Sequence, residues 1–209
     1  MEDAILREVQ AQQNRGVLLV LTGPTGAGKD TVFAKLLEKN PKIIKIITTS
    51  SRDKRENESE GNPYYFIPRS EFEQKIADGA FFEWVEFRGH LYGTQKATLQ
   101  KALETGEDII WHIDAKGVKN IKEKVKEMVD RCVFVFLTAP SIDTLKNRVQ
   151  KDEQQLMHHR WNEPLVVWEM EQFDDCDYLV INQDGELEKT VEKVQAIIEA
   201  KRQEIFHAK

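Results

Sequence analysis

The sequence predicts an α/β fold in which a mostly parallel sheet is flanked by helices on both faces. Apolar, strand-like runs alternate with helical patterns along most of the chain, and this alternation is typical of parallel sheets. The runs are rich in Val, Ile and Leu with little polar alternation, as expected of strands that are covered on both faces. The 209 residues, of which 40% are hydrophobic and 32% charged, fit one domain (1–209) better than two independent domains.

The predicted elements follow one another in chain order. Residues 1–15 are polar with scattered Ile5, Leu6 and Val9, and they predict a loosely attached helix. The predicted strands are 17–21, 43–48, 108–113, 133–137 and 178–181, and the predicted helices are 30–39, 94–105, 116–129, 141–150 and 187–206. Gly106 follows the second of these helices, where a C-terminal glycine belongs.

Two segments interrupt the alternation. Residues 49–93 combine a polar loop, several aromatic residues and a helix whose start is indicated by Ser70 and Glu73 as a capping box. We interpret this segment as an inserted lobe that holds a second substrate. Residues 151–160 show no apolar period and predict a mobile lid between two helices. The remaining core comprises 16–48, 94–150 and 161–209.

Composition excludes several classes of partner. The formal net charge is −6, whereas a nucleic-acid-binding protein would favour a basic face. No apolar run approaches the roughly 18 residues of a membrane span, and the N-terminus lacks a basic region followed by an apolar stretch. We therefore expect a cytoplasmic protein with neither nucleic acid nor membrane as a partner. Cys132 and Cys176 lie far apart, which favours reduced, structural thiols.

A glycine-rich loop follows the first predicted strand, and residues 23–31 read Gly-Pro-Thr-Gly-Ala-Gly-Lys-Asp-Thr. Its glycines let consecutive backbone N–H groups point inward at phosphate oxygens. Lys29 adds a positive charge at the N-terminus of the next helix, which also attracts anions. The loop predicts binding of a nucleoside polyphosphate, with phosphate contacts from Gly23, Thr25, Gly26, Ala27, Gly28, Lys29, Asp30 and Thr31.

Asp30 departs from the usual pattern of such loops, which has Ser or Thr at this position to hold magnesium. A carboxylate ligates Mg²⁺ through oxygen as a hydroxyl does, but it adds a negative charge beside the phosphates. We expect Mg²⁺ to bind as the ATP complex with Asp30 as a ligand. The alternative is that Asp30 is only a favourable charge at the helix N-terminus.

Further blocks of sequence, taken together with the loop, resemble those of a known family. They are Thr48-Thr49-Ser50-Ser51-Arg52-Asp53-Lys54-Arg55 with Gly61 and Tyr64-Tyr65-Phe66 behind it, Phe82-Glu83-Trp84, Tyr92-Gly93-Thr94, Ile113-Asp114-Ala115-Lys116-Gly117 and Ala139-Pro140-Ser141. In order and near-matching spacing, over about residues 17–200, the chain resembles guanylate kinase. The resemblance implies a P-loop kinase fold of three layers with a monophosphate-binding lobe and a lid. It also implies transfer of the γ-phosphoryl group of ATP to GMP or dGMP.

The resemblance implies a GMP site formed by Thr48, Arg52, Arg55, Tyr64, Glu83, Tyr92, Thr94, His112 and Asp114. The residue types suit this substrate independently. Arg52 and Arg55 can make bidentate contacts to a monophosphate dianion, and tyrosine hydroxyls can add donors. Glu83 is an acceptor-only side chain within an aromatic run, and guanine presents N1–H and N2–H₂ donors to such a group.

The segment 109–114 contains a second departure. It resembles a family segment with two acids one residue apart, in which Asp114 matches the second and His112 stands where the first, a base-reading carboxylate, would be. A neutral imidazole offers one acceptor and one donor, so it can take only one of the guanine donors. The sequence therefore predicts altered guanine selectivity.

The resemblance also implies roles for residues near the lid. Arg148 and Arg160 align with arginines that reach the transferring phosphoryl group, which makes them catalytic candidates together with Lys29. Lys151 takes the place of a further lid arginine, and Asn182 matches a position near adenine. His158 and His159 have no further metal ligands at suitable spacing, so we interpret them as lid surface.

Two other functions stay open. The Lys-Asp pair at the end of the loop resembles ribose 1,5-bisphosphate phosphokinase, a guanylate-kinase-like enzyme. Guanylate-kinase-like domains also serve as inactive, phosphopeptide-binding scaffold modules, but their usual hallmark is a damaged phosphate loop, and here Lys29 and all three glycines are present. The sequence leaves open whether the chain is a monomer or a homodimer.

Overall fold

The computed structural model describes residues 16–56, 58–87, 89–128, 131–156 and 161–207. Its larger sheet has the strand order β2-β7-β1-β8-β9, with every neighbouring pair parallel. These strands are β1 (Leu18–Thr22), β2 (Ile44–Lys45), β7 (Ile109–His112), β8 (Cys132–Thr138) and β9 (Tyr178–Ile181). A smaller sheet of order β4-β3-β6-β5 is formed by β3 (Thr49–Ser50), β4 (Tyr65–Phe66), β5 (Phe81–Phe87) and β6 (His90–Gln95).

Helices cover both faces of the larger sheet, and one further helix, at Arg69–Ala77, packs on the smaller sheet. They are α1 (Lys29–Lys39), α2 (Arg69–Ala77), α3 (Lys96–Glu104), α4 (Ala115–Met128), α5 (Ile142–Leu156), α6 (Glu163–Met170) and α7 (Leu187–His207), with a 3₁₀ helix at Glu171–Asp175. Side chains of β1 alternate between two buried clusters: Leu19 and Leu21 pack with α1 and α7, and Leu18 and Val20 pack with α3 and α4. Such alternation is expected of a strand covered on both faces, and it confirms the predicted fold class.

The smaller sheet has its own core within the inserted lobe. Phe72 of α2 stacks on Phe81 of β5 with ring centroids 4.2 Å apart, and Leu91 of β6 completes the cluster. At the base of this sheet, the backbone N–H of Lys96, the first residue of α3, donates to the carbonyl of Ala80, which directly precedes β5. The lobe is therefore tied to the core at its base.

Several predicted boundaries are wrong. The strand expected over 43–48 is shorter, since only 44–45 pair with β7 and 49–50 join the smaller sheet. The helix expected from 94 begins at Lys96, because the preceding two residues complete β6. The predicted capping box is absent: α2 begins at Arg69 after Pro68, without a side-chain cap, and Glu73 instead accepts a hydrogen bond from Arg69.

The region of the predicted lid is helical where the structure describes it. Helix α5 does not end at residue 150 but continues to Leu156, and α6 follows at Glu163 although the sequence analysis did not predict it. Residues 1–15 and 157–160, including His158, His159 and Arg160, lie outside the described residues. The helix predicted for the first segment and the lid role of the second stay predictions.

Two smaller expectations, on Gly106 and on the cysteines, are confirmed. Gly106 follows α3 with φ 73°, the left-handed conformation that a C-terminal glycine supplies. Both cysteines are free thiols. Among the described residues, no helix combines the length and apolar character needed to cross a membrane.

Candidate active site

One cavity of about 510 Å³ lies between the glycine-rich loop and the lobe. It brings together most of the side chains that the sequence singled out: Gly23, Thr25, Gly26, Gly28, Lys29, Asp30, Thr31, Thr48, Tyr64, Glu83, Tyr92, His112, Asp114 and Arg148. The carboxyl ends of parallel strands β1 and β7 meet at this edge of the sheet, which is where α/β folds bind ligands. Ala27, Arg52, Arg55, Thr94 and Asn182 lie outside the wall of this cavity.

The loop curves because its glycines adopt conformations that other residues avoid. Gly23 has φ 138°, and a Cβ there would lie 1.9 Å from the carbonyl oxygen of Leu137. Gly28, which precedes α1, has φ 88°, and a Cβ there would lie 2.6 Å from Nδ2 of Asn182. Glycine is required at these two positions for two reasons. The backbone has a positive φ, and the backbone of Leu137 or the side chain of Asn182 leaves no room for a Cβ.

Lys29 bonds to the loop itself. Its Nζ donates to the carbonyl oxygens of Gly23 at 2.6 Å and Pro24 at 2.9 Å. These contacts hold the ammonium group inside the curve of the loop, on the wall of the cavity. The positive charge therefore lies where the loop N–H groups and the N-terminus of α1 also favour an anion.

The side chains of Arg148 and Asn182 donate hydrogen bonds to carbonyl groups of the loop. The Arg148 guanidinium donates to the carbonyl of Gly26 at 3.3 Å, to that of Asn182 at 2.8 Å and to the carboxylate of Asp184. The buried Asn182 amide donates to the carbonyl of Ala27 at 2.9 Å and accepts from the Thr190 hydroxyl. The side chain of the predicted adenine-side residue thus bonds to the loop through its nitrogen and to α7 through its oxygen, and its role near adenine stays a prediction.

Arg52 and Arg55, the predicted arginine pair, both donate hydrogen bonds to Glu58, an acid that the sequence did not indicate. Both outer nitrogens of Arg52 donate to the Glu58 carboxylate, at 2.7 and 2.5 Å, and the backbone N–H of Arg55 donates to the same group at 2.9 Å. The Arg52 and Glu58 side chains are only 11% and 9% exposed. The hydrogen bond from Arg52 holds the pKa of Glu58 below its usual range. Glu58 therefore fixes the orientation of the Arg52 guanidinium.

Two tyrosines connect this arginine to the cavity. The Arg52 Cζ lies 5.3 Å from the ring centroid of Tyr64, whose ring contacts that of Tyr92 at 5.7 Å. Burial raises the pKa of the Tyr64 hydroxyl to about 12. The hydroxyl thus remains a donor at neutral pH, and Tyr64 lines the cavity.

Glu83 ends a hydrogen-bonded chain that spans three strands. The indole Nε1 of Trp111 donates to the buried Thr94 hydroxyl at 3.0 Å, and this hydroxyl and the Thr94 backbone N–H hydrogen-bond to the Glu83 carboxyl. Because the hydroxyl oxygen already accepts from the indole, its hydrogen is directed at Glu83. Burial raises the pKa of Glu83 to about 7, although the bonds from Thr94 oppose the shift. Trp111 therefore positions the predicted base reader.

The two remaining candidates from segment 109–114, His112 and Asp114, both line the cavity. The charged groups that bear on the His112 imidazole are Lys29, Asp114, Asp30 and Lys45. Burial lowers the pKa of His112 to about 4, so the ring is neutral at physiological pH. Asp114 is exposed at the cavity wall and acts electrostatically on both His112 and Glu83.

Glu169 is a further acid that the sequence did not indicate. It projects from α6 into the cavity wall, and its Oε2 accepts from the backbone N–H of Thr25 at 3.3 Å. Asn162 caps the start of helix α6, since its side chain accepts from the Leu165 N–H, and Pro164 lies in the first turn. Those two residues are a start signal that could have predicted the helix and hence the acid it carries.

The donor set fits magnesium bound together with a nucleotide. Among the described residues, no group of three or more His, Cys, Asp or Glu side chains forms a metal site by itself. Asp30 and Asp114 nonetheless both line the cavity beside the loop. Mg²⁺ is commonly held by one or two carboxylates together with substrate phosphates and water, so these two residues suffice.

Comparison with known proteins shows the family of the chain. The family model for guanylate kinase matches residues 15–201. The chain belongs to the guanylate kinase family. It is 37% identical over 193 residues to a guanylate kinase of Carboxydothermus hydrogenoformans, covering 90% of each chain. It is 35% identical over 191 residues to a guanylate kinase of Oceanobacillus iheyensis, covering 90% of this chain and 89% of that one.

Solved structures show the same likeness. The crystal structure of guanylate kinase from Anaplasma phagocytophilum superposes with a TM-score of 0.69 at 28% identity, covering 90% of this chain and 87% of that one. A gluconokinase from Sinorhizobium meliloti superposes with a TM-score of 0.52 at 16% identity, covering 91% of this chain and 96% of that one. At that identity the second likeness concerns the fold alone.

Proposed function

We propose that this protein transfers the γ-phosphoryl group of ATP to GMP or dGMP, giving ADP and GDP or dGDP. The observation that carries the proposal is that one cavity is lined both by the phosphate loop and by Glu83, which the Trp111–Thr94 hydrogen bonds hold from behind the wall. Family membership supports the same activity. The proposal includes a cytoplasmic enzyme of purine nucleotide metabolism, monomeric or homodimeric, without nucleic acid or membrane partners.

The donor nucleotide is held by the loop. Backbone N–H groups and Lys29 bind the phosphates, and Arg148, together with Arg160 beyond the described residues, contributes positive charge near the transferred group. Asp30 and Asp114 would hold Mg²⁺, which when bound neutralises phosphate charge. The residues of the chain need no covalent intermediate, because phosphoryl transfer depends on positioning and charge neutralisation. The bond from phosphorus to the β,γ-bridging oxygen breaks as the bond to the acceptor phosphate oxygen forms.

Residues of the lobe position the acceptor nucleotide, GMP or dGMP. Glu83 accepts from guanine N1–H and N2–H₂, with Thr48 beside it on the cavity wall and Thr94 behind it. Arg52, with Arg55 beside it, is directed at the acceptor phosphate, and the Tyr64 and Tyr92 hydroxyls donate to the same group. Holding both nucleotides in one cavity places the reacting oxygen and phosphorus together, which lowers the entropic part of the barrier.

A panel of acceptors tests the proposal. With ATP and Mg²⁺, we expect rapid formation of ADP with GMP and dGMP, weaker reaction with IMP because it lacks the N2 amine, and little with AMP. Ribose 1,5-bisphosphate has no base and is expected to be inert. Coupled detection of ADP for each acceptor gives the result. Robust phosphorylation of ribose 1,5-bisphosphate with none of GMP would replace the proposal by the sugar-phosphate kinase, and no reaction with any acceptor would favour a binding module.

Glu83→Gln should reduce kcat/KM for GMP by about one to two decades. The amide turns part of the acceptor into a donor that faces guanine donors, a mismatch worth about 1–3 kcal/mol. Because the Glu83 pKa is about 7 and the ionised form is the acceptor, GMP binding by the parent should weaken as pH falls below 7. The measurement is kcat/KM for GMP between pH 5.5 and 8.5.

Glu83→Gln also supplies the control for this pH profile. The GMP phosphate titrates near pH 6 in both proteins, so only the difference between their profiles reports Glu83. We expect the ratio of parent to variant kcat/KM to fall as the pH is lowered through 7. A ratio that is constant with pH would contradict base recognition by an ionised Glu83.

A further inference from the structure

Four of the described side chains that line the cavity are acids, namely Asp30, Glu83, Asp114 and Glu169. The proposed function assigns Asp30 and Asp114 to magnesium and Glu83 to guanine. It leaves Glu169 without a role. The Glu169 Oε2 accepts from the backbone N–H of Thr25 at 3.3 Å, so α6 brings a carboxylate oxygen into direct contact with the phosphate loop.

The Thr25 N–H belongs to a part of the loop that attracts anions. Lys29 donates from its Nζ to the carbonyls of Gly23 and Pro24, the two residues directly before Thr25. A backbone N–H in a curved, glycine-rich loop beside a held ammonium group is a place where an anionic oxygen is expected. The Glu169 carboxylate therefore makes the kind of contact that a phosphate oxygen would make there.

Helix α6 holds the backbone of Glu169 in place but leaves its side chain able to rotate. Val166 of this helix is buried in the same cluster as Leu21 of β1, and Met170 accepts a hydrogen bond from the Thr138 hydroxyl at 3.0 Å. Glu169 itself is only partly buried. Rotation of its side chain is therefore enough to move the carboxylate from the loop towards solvent while the helix stays in place.

We propose that Glu169 competes with nucleotide phosphate for the Thr25 N–H and thereby sets the affinity of the loop for ATP. One N–H supplies one strong hydrogen bond, and a carboxylate and a phosphate at the same place repel each other. A phosphate that binds there must therefore displace the Glu169 side chain. The displacement precedes the chemical step, so it weakens ATP binding without changing the barrier from the bound state. The inference rests on the phosphate loop of the proposed function and does not depend on which acceptor is used.

Binding of a non-hydrolysable ATP analogue tests the competition without any phosphoryl acceptor. The proteins are the parent, Glu169→Gln and Glu169→Ala, and isothermal titration calorimetry gives Kd once with EDTA and once with Mg²⁺. Glutamine keeps the shape and loses the charge, whereas alanine removes the competing acceptor as well. Glu163→Gln is the matched control, because Glu163 lies on the same helix, is 57% exposed and pairs with Lys146 outside the cavity wall.

We expect the Kd of the analogue to fall about tenfold in Glu169→Ala, since a hydrogen bond to a charged group is commonly worth a factor of about ten or more. In Glu169→Gln it should fall about threefold, because the neutral amide still accepts from Thr25 but no longer repels phosphate. Both changes should be the same in EDTA and in Mg²⁺. The KM for ATP should fall with Kd while kcat stays within about twofold of the parent. The control should keep the Kd of the parent within about twofold.

Two results would overturn the proposal. A Kd unchanged in both Glu169 variants would show that the contact with Thr25 does not bear on phosphate binding. Weaker binding would give Glu169 a supporting role instead, in the metal shell if the loss occurs only with Mg²⁺ and in shaping the loop if it occurs in EDTA as well. Circular dichroism and Tm of each variant verify folding, and the isosteric glutamine keeps the test valid if alanine unfolds the chain. The acceptor panel tests the proposed function separately, so a change of acceptor would leave these affinities as expected.

Discussion

Lys29→Ala is expected to fold like the parent chain and to lose about two to three decades of turnover. The ammonium group lies on the cavity wall inside the loop, held by the carbonyls of Gly23 and Pro24. A preorganised charge at the place where phosphate charge develops is commonly worth about 10²–10³ in kcat. The measurement is kcat for ADP formation with saturating GMP and ATP, alongside circular dichroism and Tm.

Lys35→Ala is the matched control for this variant. Lys35 lies on the same helix α1, but its Nζ pairs with Glu38 and Glu188 on the surface, outside the cavity wall. Removal of a surface ion pair changes stability little and should leave kcat within about twofold of the parent. A folded Lys29→Ala protein with turnover close to that of the parent would contradict the phosphate-loop mechanism.

The larger sheet could be predicted from the sequence because a strand that is buried on both faces is a continuous apolar run. Leu18 and Val20 face one buried cluster and Leu19 and Leu21 the other, so the run is apolar at every position. The lobe gave no such signal, since its strands β3 and β4 are two residues long and depend on pairing with β6. Pairing between distant segments is not encoded in the local pattern, and the boundaries at Thr49 and Lys96 were missed for this reason.

The phosphate loop was predictable from spacing because its conformation is set by its own glycines. The partners of the other site residues were not. Glu58 lies six residues after Arg52, and nothing in that spacing indicates a bidentate pair. The chain from Trp111 through Thr94 to Glu83 crosses three strands of two sheets, so only the fold assembles it.

Arg52→Ala should lower kcat/KM for GMP by about two decades, mainly through a higher KM. One charge-assisted hydrogen bond from the guanidinium to phosphate is worth about 1.5–3 kcal/mol, which accounts for one decade or more of this loss. The loss also leaves the Glu58 carboxylate, only 9% exposed, without its partner and facing the incoming phosphate. The Tm should fall by a few degrees for the same reason. Initial rates over a range of GMP concentrations, with a thermal melt, give both quantities.

The matched control is Arg69→Ala in the same lobe, because Arg69 is 46% exposed and pairs with Glu73 and Glu86 on the surface. It should leave kcat/KM within about twofold of the parent. If Arg52→Ala kept the kcat/KM of the parent, Arg52 would be only the structural partner of Glu58.

Glu58→Gln in the Arg52→Ala background separates the two parts of the expected loss. If the unpaired carboxylate repels the GMP phosphate, the double variant should recover about tenfold in kcat/KM, because the amide removes that charge and keeps the shape. The contacts from Arg52 to phosphate would still be missing, so recovery should stop about tenfold below the parent. Glu58→Gln alone should raise the KM for GMP severalfold, since Arg52 keeps its charge but loses the carboxylate that orients it. An unchanged KM in that single variant would show that the arginine reaches the phosphate without the orientation that Glu58 gives it.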